Sequence, residues 1–237
     1  MDNPILQRCD VVCADVTVLP NEEFAMLRRN GFGASDAATF LGLYDKFRDV
    51  EQLIKEKLQT EYTPEEAEVG KKVSVRLGHA TESLNLELAS EQLGVLVNKD
   101  PAMYRIKEYP YLTISYDGLT PDFIPVEAKF VTFYGDKYYK FDRATNPDLS
   151  SLGRLGHNAY DHCAQCAQAY GIPIYYYAQL QQQMLGSGAE QAYLSALRSK
   201  DCKLYLFKIP RDEYIIQQII TEGYKISQRV QRRKAQF

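Results

Sequence analysis

Asp117, Glu127 and Lys129 are the side chains of this sequence best suited to chemistry, and their spacing says which chemistry. Asp117 closes one apolar run, and Glu127-Ala128-Lys129 lies inside the next. Alternate residues of a strand share a face, so Glu127 and Lys129 point one way and Ala128 the other. A hairpin-like connection through Gly118 to Pro121 swings Asp117 back beside them. Two carboxylates and an ammonium make a poor core. They can hold a divalent cation and a water molecule. Hard carboxylate oxygens suit Mg²⁺, with Mn²⁺ as the alternative, because such ions bind through few protein ligands plus water and phosphate oxygens. A cation so held offsets developing charge and supplies hydroxide, as hydrolysis of a phosphodiester requires. Lys129 is placed to orient or deprotonate the attacking water, and the Ala128 carbonyl can reach the metal. Glu82 is the candidate third acid.

Each residue also has a plainer reading. Glu127 and Lys129 could decorate a solvated edge strand, and Asp117-Gly118 could be a simple turn. Glu82, read as lying in the first turn of a helix over 79–93, could merely complement the helix dipole. On spacing alone that account of Glu82 stands ahead.

The elements that must position these groups follow from hydrophobic period and punctuation. Residues 1–20 read as a short strand or arm. Helices are expected over 21–29, 37–43, 49–58, 79–93, 172–186 and 211–234, with breaks at Asn30-Gly31-Phe32-Gly33 and at Gly94. Residues 60–69 read as an acidic loop with a helical turn. Strands are expected over 103–108, 111–117, 123–131, 192–198 and 203–209. The stretch 132–171 is long for a connection within a domain, and such loops are commonly functional. With no internal repeat, the pattern predicts one α/β domain over 1–237: a helical part at 21–60, a core at 78–210 and a C-terminal helix at 211–234.

Composition narrows the classes. With 25% charged and 45% hydrophobic residues over 237 positions, the chain reads as folded rather than disordered or fibrous. No apolar run approaches the roughly 20 residues of a membrane span, and the first residues lack a secretory pattern. A cytoplasmic site and no membrane partner are therefore expected. Five scattered cysteines are not a disulfide framework, which fits a reducing compartment. A net charge of −3 means that any contact with nucleic acid is local. Cys163 and Cys166 with His157 and His162 have a zinc-like look, but a helix with small buried thiols is the better account.

Four blocks give the sequence a resemblance. Asp117…Glu127-Ala128-Lys129 resembles the PD-(D/E)xK nuclease signature. Residues 28–38, Gly78-His79-Ala80-Thr81-Glu82, and 177–184 with Gln179 and Gln181 resemble, in order, the blocks of the YqaJ-like viral recombinases and lambda-type phage exonucleases. The resemblance spans about residues 24–197. It departs at Tyr116, where the family usually has proline, and in the longer connection from Lys129 to Gln179.

The resemblance implies a restriction-endonuclease-like fold: a central mixed sheet flanked by helices. It implies Asp117 and Glu127 as metal ligands, Lys129 as catalytic lysine, Glu82 as a further ligand and Gln179 beside the centre, with Gln181 the next glutamine to test. Arg28 and Ser35 would bind a 5′-phosphate, chemistry that suits a guanidinium fork and a helix start, although a surface arginine and an N-cap serine are the plainer readings. The implied activity is Mg²⁺-dependent 5′-to-3′ digestion of one strand of linear duplex DNA. A single-strand annealing protein and further copies of the chain, in a ring-like trimer, are the implied partners. An endonuclease of the same superfamily and a DNA-binding module without activity are the alternatives. No iron–sulfur cluster is expected, because the cysteines lack its spacing. The tail Arg229, Arg232, Arg233 and Lys234 could touch phosphates, with a solvated helix end as the plainer account.

Overall fold

A computed structural model of the chain describes residues 3–43, 48–154, 156 and 158–236. Within them, α1 (Pro4–Arg8) is followed by β1 (Cys9–Cys13), α2 (Asn21–Arg29), α3 (Ala37–Phe40), α4 (Val50–Leu58) and α5 (Pro64–Lys71). Next come α6 (Val73–Leu93), β2 (Asn98–Lys99), β3 (Met103–Ile106), β4 (Thr113–Ser115), β5 (Gly118–Leu119) and β6 (Pro125–Val131). Short 3₁₀ turns then lead to α7 (Ala159–Tyr170), α8 (Ile174–Ser187), β7 (Gln191–Arg198), β8 (Lys203–Pro210) and α9 (Glu213–Lys234).

The helix ends carry their own chemistry. Asp49, Asn158 and Asp212 cap α4, α7 and α9 by accepting N–H bonds of the first turn. Gly94, Gly171 and Gly188 stop α6, α7 and α8 in the left-handed conformation. The expected strand or arm at the start is in part α1, whose five residues are capped by Asn3 and opened by Pro4. Residues 60–69, expected as a loop with a helical turn, carry most of α5, which is longer than one turn. The expected strand over 111–117 shortens to β4, and on its other side the Tyr111 carbonyl accepts the Phe32 N–H at 2.8 Å while the Thr113 N–H bonds the Phe32 carbonyl at 2.9 Å.

A five-stranded sheet in the order β2-β5-β6-β7-β8 carries the centre. Only its β6–β7 pairing is parallel, so the sheet is mixed, and a smaller antiparallel sheet β1-β3-β4 stands beside it. Period-two alternation splits β6. Val126, Ala128 and Phe130 pack with Leu86 and Ala89 of α6, whereas Val131 joins the larger core with α8 and α9. Glu127 and Lys129 share the Val131 face. Gly118 lets β5 approach α6, because a Cβ there would lie 2.7 Å from Val97 and 2.9 Å from Leu86.

Candidate active site

β6 is an interior strand between β5 and β7, so a solvated edge is not where Glu127 sits; it is only 3% exposed. Lys129 donates to its Oε1, Gln179 Nε2 reaches the same oxygen, and Gln183 Nε2 donates to Oε2 at 2.6 Å. Asp117 follows β4 and turns back across the sheet, its Oδ2 accepting the Ala128 N–H at 2.8 Å. That oxygen lies 3.8 Å from Lys129 Nζ. The three charged groups converge, as their spacing implies.

Their electrostatics are lopsided. Enclosure and the nearby Glu127 carboxylate raise the Asp117 pKa to about 7, despite Lys129 and the Ala128 N–H acting the other way. Burial alone would lower Lys129, but Glu127 and Asp117 outweigh it and hold the ammonium above the ordinary lysine value. Lys129 is therefore a firm cation here, suited to stabilising charge and orienting water rather than removing a proton. It also lies 5.4 Å from the centre of the Tyr176 ring. Asn85 of α6 fixes the strand from behind, donating to the Lys129 and Ser195 carbonyls at 3.1 Å each. A pair of carboxylates with one neutralising cation fits a hard divalent ion: its donors are all oxygen, and its charge would relieve the repulsion that lifts Asp117.

Gln183 is the residue that sequence reasoning missed. It is 1% exposed and also reaches the Ser115 carbonyl at 3.2 Å. Four positions after Gln179, it shares that helix face, a spacing legible in the sequence. Gln183→Met leaves a buried carboxylate oxygen without its donor. Stability should fall by about 1–3 kcal/mol, measured by urea unfolding of the metal-free protein. An unchanged midpoint and slope would remove Gln183 from the site. Gln181, the other glutamine expected near the centre, faces elsewhere: it bonds the Pro210 carbonyl at 3.0 Å and the Asp212 N–H at 2.8 Å.

Glu82 needs a correction. α6 starts at Val73, so Glu82 lies in mid-helix and cannot serve the helix dipole at a first turn. It pairs with Lys99 of β2 at 2.7 Å, and its charge reaches Asp117 as a small further push on that carboxyl. Ala128 places its N–H, rather than its carbonyl, on Asp117.

The second half of the site lies one wall away. Arg28, at the end of α2, donates to Ser35 Oγ at 3.2 Å and lies 5.8 Å from the Phe24 ring. The intervening loop is held from inside: buried Asp36 accepts Arg48 at 2.6 Å and Lys57 at 2.9 Å, and Lys57 donates to the Arg28 and Gly31 carbonyls. Arg28, Ser35, Asp117, Glu127 and Gln179 all line one cavity of about 140 Å³.

Two other candidate groups resolve differently. Cys163 and Cys166 are buried in α7, and burial pushes both thiols up. His162 Nε2 contacts Asp212 Oδ2 at 2.7 Å, which also accepts the Tyr177 hydroxyl at 2.8 Å, so an internal hydrogen-bond network accounts for the cluster. His157 lies outside the described residues. In the tail, Arg229 and Arg233 of α9 pair with Glu51 of α4 in solvent-exposed ion pairs, in keeping with a solvated helix end. Among the described residues, no helix is long and apolar enough to cross a membrane.

Comparison with known proteins agrees with the geometry. The model of the YqaJ-like viral recombinase domain matches residues 23–190. An alkaline exonuclease from Laribacter hongkongensis superposes with a TM-score of 0.60 at 16% identity, covering 90% of this chain and 97% of that one. Its complex with dAMP gives a TM-score of 0.58 at 16% identity, over 89% and 93% of the two chains. A phage related exonuclease from Haemophilus somnus 129PT gives 0.52 at 13% identity, over 84% and 92%. None of the curated proteins matches this sequence. With the family model matching most of its length, the chain belongs to the YqaJ-like viral recombinase domain family, as a DNA nuclease of the restriction-endonuclease-like fold.

Proposed function

We propose that this chain is a Mg²⁺-dependent exonuclease that digests one strand of linear duplex DNA from its 5′ end. The single supporting observation is the shared cavity, in which Arg28 and Ser35 face the same space as Asp117, Glu127 and Gln179. A terminal phosphate held by the guanidinium and hydroxyl would set the first phosphodiester over the carboxylates. Asp117, Glu127 and the Ala128 carbonyl would hold the cation, with Glu82 able to join on leaving Lys99. When bound, the cation polarises the scissile phosphate and acidifies a water. Lys129 then supports charge on the phosphate and orients that water, while Gln179 and Gln183 fix Glu127. The Laribacter hongkongensis exonuclease was solved with dAMP, and a mononucleotide is the class of product that stepwise digestion releases. The remaining 3′ single strand would pass to an annealing protein, with copies of the chain assembled around DNA in the cytoplasm.

The test is digestion of linear duplexes labelled at either end, with and without a 5′-phosphate. The wild type should shorten only strands with a 5′-phosphate, require Mg²⁺ and leave closed circular plasmid intact. Cleavage of the circle would favour the endonuclease reading. Arg28→Ala should lose most of the preference for phosphorylated ends, on the order of 10-fold or more from a charge-assisted contact. Unaltered preference would move the phosphate site elsewhere.

A further inference from the structure

β6 does not end in a shielded loop. The chain leaves Val131 and turns at once, with the Gly135 N–H bonding the Thr132 carbonyl at 2.9 Å. The base of this turn is pinned twice. Ser199 N–H bonds the Val131 carbonyl at 3.0 Å, and Arg198 grips Asp136 with both prongs of its guanidinium, the Nη2 contact being 2.8 Å. The same guanidinium covers the Phe141 ring at 4.3 Å. The tip points out. Phe133 is 70% exposed and Tyr134 84%, their rings edge-on with centroids 6.0 Å apart. Two large aromatics held out to solvent side by side on an anchored turn form a contiguous apolar patch with free ring faces, the kind of surface that marks an interaction site.

Three observations say what it recognises. Lys137 and Lys140 are exposed on the same segment, Lys137 over the Tyr138 ring, while Asp136, the one acid between Phe133 and Lys140, is already neutralised by Arg198. The tip is thus cationic in a chain of net charge −3. The segment also returns to the centre, since Tyr139 shares a hydrogen bond with Tyr176, the ring beside Lys129. Aromatic faces flanked by lysines, next to a catalytic strand, suit polyanions with exposed rings. Paired bases offer no free faces, whereas unpaired ones do.

We infer that Phe133 and Tyr134 form a stacking platform for the unpaired bases of single-stranded DNA at the active site, with Lys137 and Lys140 drawing in its phosphates. The inference rests on the nuclease reading for its ligand, yet it can be tested without cleavage. The chain has no tryptophan, so Tyr134→Trp installs a sole indole on the platform and keeps its stacking surface. In EDTA, its emission should be quenched by a short oligothymidine and much less by a blunt hairpin duplex of equal phosphate number. The double variant Phe133→Ala/Tyr134→Ala should weaken oligothymidine binding by about tenfold or more, read by anisotropy, with Phe133→Tyr/Tyr134→Phe restoring it. Absent quenching, or a double-alanine variant that binds like wild type, overturns the platform. So does a double-alanine variant that only dissociates an oligomer in light scattering, which would make the turn a contact between copies. A wild type that spares linear duplexes while the quench persists would sink the exonuclease reading and leave the platform standing.

Discussion

Lys129→Ala should lower single-turnover cleavage by about 10²–10³-fold, the scale seen when one preorganised transition-state donor is removed. The ammonium bonds Glu127 and stands 3.8 Å from Asp117, inside a centre whose other charges are negative. Its loss removes a cation from the place where a phosphate must gain charge. Linear duplex should still bind, because Arg28, Ser35 and the basic segment beyond β6 are untouched. Anisotropy with and without divalent ion separates the two effects. Lys129→Arg should recover little, since a planar fork does not reproduce the compact ammonium held against Glu127 and Asp117. Turnover by the alanine variant at the wild-type rate would refute the role.

Asp117→Asn carries the second large effect, and it splits by pH. With its pKa raised to about 7, Asp117 holds a proton in the folded protein that the unfolded chain releases near pH 4. The folded state therefore binds more protons between these values. Stability of the metal-free protein should fall as pH rises from about 4 to 7, and this contribution should level off above 7. Asparagine keeps an acceptor for the Ala128 N–H without the charge. It should flatten that window and stabilise the metal-free protein above pH 7 by roughly 2–4 kcal/mol. The same substitution should weaken Mn²⁺ binding on the order of 100-fold or more, as loss of a charged ligand does. In the wild type, that affinity should drop below pH 7, where the proton competes with the metal. Calorimetry across pH 5–9 reads both. An asparagine variant with wild-type affinity would remove Asp117 from the metal site.

These two residues were legible because strand alternation is a local rule. Asp117, Glu127 and Lys129 needed only the period of two and a turn to be brought together. Glu82 was harder. Gly78 and His79 look like a helix start, yet α6 runs through them from Val73, and Lys99 reaches Glu82 from a two-residue strand too short to read. Gln183 lay in plain view four residues after Gln179, but a polar helical face carries no sign of what it meets. Gln181, which the family pattern made attractive, turned toward α9 for the same reason. The anchoring of the turn after β6 depends on Asp136 and Arg198, 62 positions apart, a pairing that no short-range pattern can signal.

The glutamines of α8 have a wider consequence. Gln179 and Gln183 hold Glu127, Gln182 reaches the Phe32 and Thr113 carbonyls at 3.0 Å each, and Gln181 ties to the start of α9. One rod thus yokes β6, the loop behind Arg28 and the C-terminal helix through neighbouring amides. A slip of a single residue would rotate all of them by about 100° and uncouple every wall together. The parts of this centre are kept in lockstep by one helical register, so they drift together or not at all.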